Sequence, residues 1–206
     1  MTDYSLYLVT DTGLCGAKGV AWTVGEAIAG GATMVQVRDP HASDEDFLSL
    51  AREVVRAVAG RVPVLLNDRV GLVFEAGADG AHIGQSDLPV ERARRLLGAG
   101  ALLGLSVTNG TELEAALPHG DSIDYIGLGP VWLQTTKPDA APPLGLDGLA
   151  EVAARCPWPS VAIGGINQSN LAAVKAAGVD GAAVVSAICG QPDPRAATQR
   201  LRQEWK

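Results

Sequence analysis

The chain has 206 residues, of which 47% are apolar, 19% are charged and 4% are aromatic, and its formal net charge is −7. The length predicts a single domain over residues 1–206, and the apolar fraction excludes an intrinsically disordered chain. The negative charge provides no basic field that would attract nucleic acid or a membrane surface, so we expect neither partner. An anionic ligand must therefore be held by a local site.

The N-terminus and the cysteines predict a cytoplasmic protein. Residues 1–11 lack a basic region followed by a long apolar run, and no window reaches the roughly 18 apolar residues of a membrane span. Cys15, Cys156 and Cys189 form no CxxC motif, which favours three free thiols in a reducing compartment. The sequence leaves open whether the protein is a monomer or a homo-oligomer.

Short apolar runs alternate along the chain with longer, alanine-rich amphipathic stretches. The runs predict eight strands, at residues 6–10, 34–38, 64–67, 80–83, 102–106, 125–128, 161–164 and 182–185. The stretches predict eight helices, at residues 20–29, 44–59, 70–76, 89–97, 112–117, 146–154, 170–177 and 195–205. Strict alternation predicts a parallel sheet built from βαβ units.

Eight such units predict an α/β fold with a single, compact (β/α)₈ barrel, the TIM barrel. Each unit has about 26 residues, and the chain lies near the lower limit of roughly 200 residues for this fold. A doubly wound open sheet is the alternative, but the chain has no dinucleotide-binding glycine fingerprint. Residues 76–81 and 177–182 are also similar to each other. In both, a helix ends on a glycine and an Asp-Gly turn leads into the next strand.

Polar residues and glycines suited to binding lie at or just beyond the carboxyl ends of seven predicted strands, where such barrels place their chemistry. They are Gln36, Arg38, Asn67, Asp68, Gln85, Asp87, Ser106, Thr108, Thr135, Thr136, Lys137, Gly164, Gly165 and Ser186. Loops are polar in any protein, yet the opposite strand ends carry mostly the Asp-Gly pattern. The asymmetry predicts a binding site at the carboxyl ends of the strands.

Two carboxylates in this set, Asp68 and Asp87, end neighbouring strands. Hard oxygen ligands without histidine or cysteine beside them suit Mg²⁺, which keeps several waters and bridges to substrate phosphates. The alternative is a pair of solvated or helix-capping carboxylates. The sequence therefore indicates a candidate magnesium site and leaves the alternative open.

The ends of the last two strands and one long loop suggest phosphate binding. Gly164-Gly165 and Val185-Ser186 occupy the place where these barrels bind phosphate, although a tight turn would also require the glycines. Lys137 lies in the long loop at residues 129–144, and its cation is either a phosphate clamp or an ordinary solvated lysine. His82, on the fourth strand, is expected to pack or hydrogen-bond within the barrel rather than to catalyse.

Taken together, these residues resemble the thiamine-phosphate synthase family along nearly the whole chain. Each matching stretch is modest alone, but their order and their positions at the strand ends make the set specific. The matching stretches are residues 6–11, 31–38, 66–68, 77–87, 104–106, 125–132, 135–137, 162–166 and 184–188.

The resemblance implies a Mg²⁺-dependent transferase that joins hydroxymethylpyrimidine diphosphate to thiazole phosphate, with release of pyrophosphate. It implies that Asp68 and Asp87 hold Mg²⁺, and that Arg38, Ser106 and Lys137 are catalytic. The pyrimidine diphosphate would be bound by Gln36, Arg38, Asn67, Ser106 and Lys137. The thiazole phosphate would be bound by Thr135, Thr136, Gly165, Val185 and Ser186, and Gly164 would be a further substrate-binding residue.

The chain departs from the family pattern at two positions. Pro40 stands where the family usually has a lysine, so a diphosphate contact is either missing or supplied by His41 or Arg69. Gln134 stands where the family often has the first threonine of its loop, which could alter the grip on the thiazole phosphate.

Two other functions are compatible with the same fold. A thiazole tautomerase is a related barrel that aromatises the thiazole phosphate, but such relatives tend to lose the metal-binding acids and the loop lysine that this chain keeps. A non-catalytic phosphate-ligand sensor would need the phosphate site and no Mg²⁺.

Overall fold

The computed structural model describes residues 2–133 and 141–206. At its centre is a closed barrel of eight parallel strands, in which each strand pairs with the next along the chain and the last pairs with the first. The strands are β1 (Leu6–Val9), β2 (Met34–Val37), β3 (Val64–Asn67), β4 (Gly80–Ile83), β5 (Leu102–Val107), β6 (Tyr125–Leu128), β7 (Ser160–Ile163) and β8 (Gly181–Val184). The predicted (β/α)₈ barrel is confirmed, and the open sheet is excluded.

Helices lie between the strands. Within residues 2–133 and 141–206 they are α1 (Thr12–Cys15), α2 (Val20–Gly30), α3 (Asp44–Val58), α4 (Val73–Ala76), α5 (Val90–Leu97), α6 (Gly110–Ala116), α7 (Gly145–Arg155), α8 (Leu171–Ala176) and α9 (Pro194–Trp205). Three 3₁₀ segments add Gly16–Lys18, Val70–Leu72 and Leu117–Ser122. The strict alternation of eight strands with eight helices was wrong in detail, because the prediction missed α1. This helix has only four residues, too few for a periodic apolar pattern.

Most predicted boundaries differ from the observed ones by one or two residues. Thr10, Arg38, Gly164 and Val185 were predicted to end their strands but lie just beyond them. Helix α6 begins at residue 110 instead of 112 because the side chain of Asn109 accepts a hydrogen bond from the N–H of Glu112 and caps the helix. The predicted helix at residues 70–76 is a 3₁₀ turn followed by the short α4.

The apolar residues form two buried layers. Seven side chains fill the barrel interior: Tyr7, Val9, Met34, Leu65, Tyr125, Val161 and Ala183. The larger cluster lies between the barrel and its helices and takes one face of most strands. Both faces of the strands are therefore buried, which explains why they have near-continuous apolar sequences.

Carboxylates tie strand ends together at the amino end of the barrel. Asp79 accepts a hydrogen bond from the N–H of Val64, and Asp180 accepts one from the N–H of Ser160, each at 2.8 Å. The Asp124 carboxylate accepts a hydrogen bond from the N–H of Leu103 in β5 at 2.7 Å, although no glycine follows Asp124. The repeated structural element is thus the carboxylate, which satisfies a backbone donor at the start of a strand, rather than an Asp-Gly turn.

Two smaller predictions are also confirmed. Gly77 and Gly178 follow their helices with φ of 72° and 87°, a conformation that favours glycine. All three cysteines are free thiols. Among the described residues, no helix is long and apolar enough to cross a membrane.

Candidate active site

A cavity of about 870 Å³ lies at the carboxyl ends of the barrel strands. This volume includes the open mouth of the cavity. Five predicted substrate-binding residues line this first cavity: Gln36, Arg38, Asn67, Ser106 and Val185. The structure therefore brings together side chains from four strand ends and presents a guanidinium, two amides and a hydroxyl to one space.

A second cavity of about 660 Å³ adjoins the first. It is lined by the predicted residues Gly164, Gly165, Val185 and Ser186, among others. The two cavities share a wall made of Ile163, Ala183 and Val185. Two ligands bound in them would therefore lie next to each other.

The glycine pair in the second cavity meets a demanding backbone requirement. Gly164 and Gly165 have φ of 103° and 70°. A Cβ on Gly164 would lie 2.7 Å from Pro130, and one on Gly165 would lie 2.8 Å from the Cβ of Trp132. The tight-turn interpretation of these glycines is confirmed. Phosphate binding at the same turn stays a prediction.

Arg38 is anchored by its backbone beside the first cavity. Its N–H donates to the Oγ1 of Thr10 at 3.0 Å, and the Thr10 hydroxyl reaches the carbonyl oxygen of Arg38 at 3.5 Å. This contact joins the ends of β1 and β2, and Arg38 is one of the residues that line the cavity. A fixed backbone reduces the freedom that a long side chain loses when it binds an anion.

The two predicted metal ligands follow β3 and β4. Asp68 has φ of 61°, its N–H donates to the carbonyl oxygen of His82 at 2.9 Å, and its carboxylate accepts a hydrogen bond from the Asn67 amide at 2.6 Å. The Asp87 carboxylate accepts one from the N–H of Gly84 at 2.7 Å. Neither carboxylate lies on the wall of the first cavity.

The donor chemistry of Asp68 and Asp87 fits Mg²⁺. Within residues 2–133 and 141–206 there is no group of three or more His, Cys, Asp or Glu side chains able to hold a metal ion. Mg²⁺ is usually bound by one or two carboxylates, waters and substrate phosphates, so it does not require a larger protein cluster. Each carboxylate accepts a hydrogen bond from an N–H donor, which orients it.

The floor of the first cavity contains residues that the sequence did not single out for binding. Tyr7, His82 and Tyr125 lie on this floor. The prediction that His82 hydrogen-bonds within the barrel is confirmed, since Nδ1 lies 2.8 Å from the Tyr125 hydroxyl and Nε2 lies 2.8 Å from the Ser106 hydroxyl. A tyrosine in a barrel strand is a usable signal, because a buried phenol needs a hydrogen-bond partner.

Of the two residues suggested as replacements for the family lysine at position 40, Arg69 has another role. Its guanidinium donates to the carbonyl oxygens of Asp39 and Ala42, forms an ion pair with Asp44 and stacks on Phe47. It stabilises the loop between β2 and α3, which argues against a diphosphate contact. The suggestion for His41, which is exposed, stays a prediction.

Several predicted residues lie outside the described part of the chain. They are Gln134, Thr135, Thr136 and Lys137. Their assignments as loop and substrate-binding residues stay predictions.

Fold and site together define a (β/α)₈-barrel protein with two adjoining cavities at the carboxyl ends of its strands. Residues 6–188 match the family described as thiamine monophosphate synthase. The thiamine-phosphate synthase of Psychrobacter sp. (strain PRwf-1) is 50% identical over 198 residues, which are 96% of this chain and 93% of the relative. That of Chloroflexus aurantiacus is 47% identical over 204 residues, 98% of this chain and 93% of the relative.

A solved structure agrees with the sequence comparisons. The thiamine phosphate pyrophosphorylase from Pyrococcus furiosus superposes with a TM-score of 0.88 at 32% identity, covering 99% of this chain and 96% of that one. The chain belongs to the thiamine monophosphate synthase family. Its function is that of a thiamine-phosphate synthase, which is a transferase.

Proposed function

We propose that the chain joins hydroxymethylpyrimidine diphosphate to thiazole phosphate with the help of Mg²⁺, releasing pyrophosphate and forming thiamine phosphate. The observation that carries the proposal is the pair of adjoining cavities with the shared wall of Ile163, Ala183 and Val185. A two-substrate reaction requires that the reacting atoms be held side by side, and adjoining sites meet that need.

The first cavity suits the pyrimidine diphosphate. The guanidinium of Arg38 and the amide of Asn67 offer donors to phosphate oxygens, and the hydroxyl of Ser106 offers another. The apolar floor accommodates the ring, with Gln36 as a polar contact at its edge. The proposal adds Lys137, from outside the described residues, as a second cation for the diphosphate.

The second cavity suits the thiazole phosphate. Gly164 and Gly165 leave room for close approach of an anion to the backbone, and Ser186 adds a hydroxyl at the end of β8. In the proposal Thr135 and Thr136 complete this phosphate site.

The proposed metal site consists of Asp68 and Asp87 beside the diphosphate. When bound there, Mg²⁺ would supply positive charge that neutralises the diphosphate leaving group. Asn67 and Gly84 orient the two carboxylates by donating to them at 2.6 and 2.7 Å.

The proposed chemistry needs no protein nucleophile. The bond between the pyrimidine methylene carbon and the diphosphate oxygen breaks, and its electron pair leaves with pyrophosphate. The resulting carbocation is stabilised by the electron-rich pyrimidine and is captured by the thiazole nitrogen, which forms the new carbon–nitrogen bond. Arg38 and Lys137 stabilise the negative charge that develops on the leaving group, and Ser106 donates a hydrogen bond to it.

We also place this reaction in the cytoplasm. The support is that Cys15, Cys156 and Cys189 are all free, as is usual for proteins of a reducing compartment.

The experiment that tests the proposal supplies both substrates with and without Mg²⁺ and follows thiamine phosphate and pyrophosphate together. We expect both products in equal amounts and only with Mg²⁺. Isomerisation of the thiazole phosphate without coupling would instead identify a tautomerase, and binding without turnover would identify a sensor. Either result would overturn the proposal.

A narrower prediction concerns the second cavity. Changing Ser186 to alanine is expected to raise the KM for thiazole phosphate by roughly 10- to 100-fold, because hydrogen bonds to charged groups are strong. The KM for the pyrimidine diphosphate should stay within about twofold, since Ser186 lines only the second cavity. Steady-state kinetics with each substrate varied in turn checks this, with Ser49→Ala in α3 as an exposed serine control. An equal rise in both KM values would contradict the assignment.

A further inference from the structure

A chain of hydrogen bonds crosses the barrel interior beneath the first cavity. The side-chain Nε2 of Gln36 donates to the hydroxyl of Tyr7 at 2.9 Å, and this hydroxyl lies 3.0 Å from that of Tyr125. The Tyr125 hydroxyl lies 2.8 Å from Nδ1 of His82, whose Nε2 lies 2.8 Å from the hydroxyl of Ser106. The chain thus begins and ends at two cavity-lining residues that are proposed to bind the pyrimidine diphosphate.

The chemistry of the groups sets the direction of the first two hydrogen bonds. The amide nitrogen of Gln36 can only donate, so the Tyr7 oxygen accepts. The single proton of Tyr7 must then go to the oxygen of Tyr125, because that is the other hydrogen-bond partner of Tyr7. If Tyr125 donated to Tyr7 instead, the Tyr7 proton would have no acceptor among residues 2–133 and 141–206, which is costly for a buried hydroxyl.

Both phenols keep the proton that this direction requires. Tyr7 and Tyr125 are almost completely buried. Burial raises the pKa of both hydroxyls well above the ordinary value. Each residue is therefore a neutral donor at any physiological pH.

The direction continues through His82 to Ser106. Since the Tyr125 oxygen accepts from Tyr7, its own proton is donated to Nδ1 of His82. That nitrogen is then an acceptor, so the ring proton is on Nε2 and is donated to the Ser106 oxygen. The proton of Ser106 is left to point away from His82, into the cavity that Ser106 lines.

We propose that Tyr7, Tyr125 and His82 are positioning residues that give the two ends of this chain opposite hydrogen-bonding character in the first cavity. Gln36 presents its carbonyl oxygen as an acceptor, because its amide nitrogen is engaged by Tyr7. Ser106 presents its hydroxyl as a donor. An acceptor suits the amino group of an aminopyrimidine, and a donor suits a phosphate oxygen. This matching of ligand groups rests on the proposed function, whereas the direction of the hydrogen bonds does not.

The first experiment measures the tautomer of His82 in the free protein by ¹⁵N NMR. The protein has only three histidines, His41, His82 and His119, so the His82 signals can be assigned with the single variants His41→Asn and His119→Asn. We expect a proton on Nε2 and none on Nδ1. A proton on Nδ1 would overturn the proposal. No substrate is used, so the result is independent of whether the proposed function is correct.

The second experiment tests whether the chain of hydrogen bonds orients the hydroxyl of Ser106. Tyr125→Phe keeps the ring and removes the hydroxyl, and we expect kcat/KM for the pyrimidine diphosphate to fall roughly three- to tenfold. In a Ser106→Ala background the same change should have a clearly smaller effect, because one of the two positioned groups is gone. Equal losses in both backgrounds would contradict the proposal and indicate a merely structural role.

Tyr4→Phe is the matched control. The Tyr4 ring lies 5.2 Å from that of Tyr125, yet the Tyr4 hydroxyl takes no part in the chain. This variant should keep wild-type kinetics and the wild-type His82 tautomer, whereas Tyr125→Phe should alter the ¹⁵N signals of His82. An unaltered His82 spectrum in Tyr125→Phe would also overturn the proposal. Should Tyr125→Phe fail to fold, the tautomer of the wild-type protein still decides.

Discussion

Replacing Asp87 with alanine is expected to lower turnover by about 10²–10³-fold, the effect of losing one well-placed group that stabilises transition-state charge. In the proposed site Asp87 is one of two protein carboxylates beside the leaving group, and Gly84 holds one of its oxygens. Its loss would halve the protein charge that holds Mg²⁺. The rate, measured as a function of Mg²⁺ concentration, should need much more metal for half-maximal activity. Asp68→Ala should behave in the same way.

The control is Asp121→Ala, which removes an exposed carboxylate from the 3₁₀ segment Leu117–Ser122. Its kinetics and its Mg²⁺ dependence should match those of the wild type. Circular dichroism melts of all variants establish that the fold is retained. Wild-type turnover and unchanged Mg²⁺ dependence in Asp87→Ala would show that the metal assignment is wrong.

The second large effect concerns stability. Replacing Gly181 with alanine is expected to lower the free energy of unfolding by about 3 kcal/mol or more, at or above the upper end for overpacked sites. A Cβ at this position would lie 1.9 Å from the carbonyl oxygen of Tyr4, and a backbone atom cannot move aside as a side chain can. The pairing of β8 with β1, which closes the barrel, would have to shift.

Urea denaturation measures this loss, and Gly25→Ala is its matched control. Gly25 lies inside α2, and a Cβ there would meet no atom within 4 Å. Because alanine favours a helix over glycine, this control should gain up to about 1 kcal/mol of stability. If Gly181→Ala unfolded at the same urea concentration as the wild type, the close packing at the pairing of β8 with β1 would be contradicted.

Much of the candidate site could be predicted because the barrel fold brings the carboxyl ends of all eight strands to one side. Once eight parallel strands are inferred, the residues at their carboxyl ends must lie at the same end of the barrel, and this places Gln36, Arg38, Asn67 and Ser106 together. The prediction needed no knowledge of distances. It rested on the order of strands and on residue types alone.

The floor of the site could not be predicted in this way. Tyr7 and Tyr125 are 118 residues apart in the chain, and their hydroxyls meet only because the closed barrel brings β1 and β6 face to face across its interior. Whether a strand side chain points to the interior or to the helices depends on the register around the barrel. A one-residue shift would reverse every side chain.

By itself the sequence determined the number and type of the strands, the parallel barrel and the end at which binding residues gather, because apolar period and turn residues are local properties of the chain. Only the tertiary structure decided which partner each polar group takes. Arg69 stabilises a loop, Asp124 anchors a strand without the Asp-Gly pattern, and His82 connects Tyr125 to Ser106. Such pairings are set by the closure of the barrel, which brings together groups that no local pattern relates.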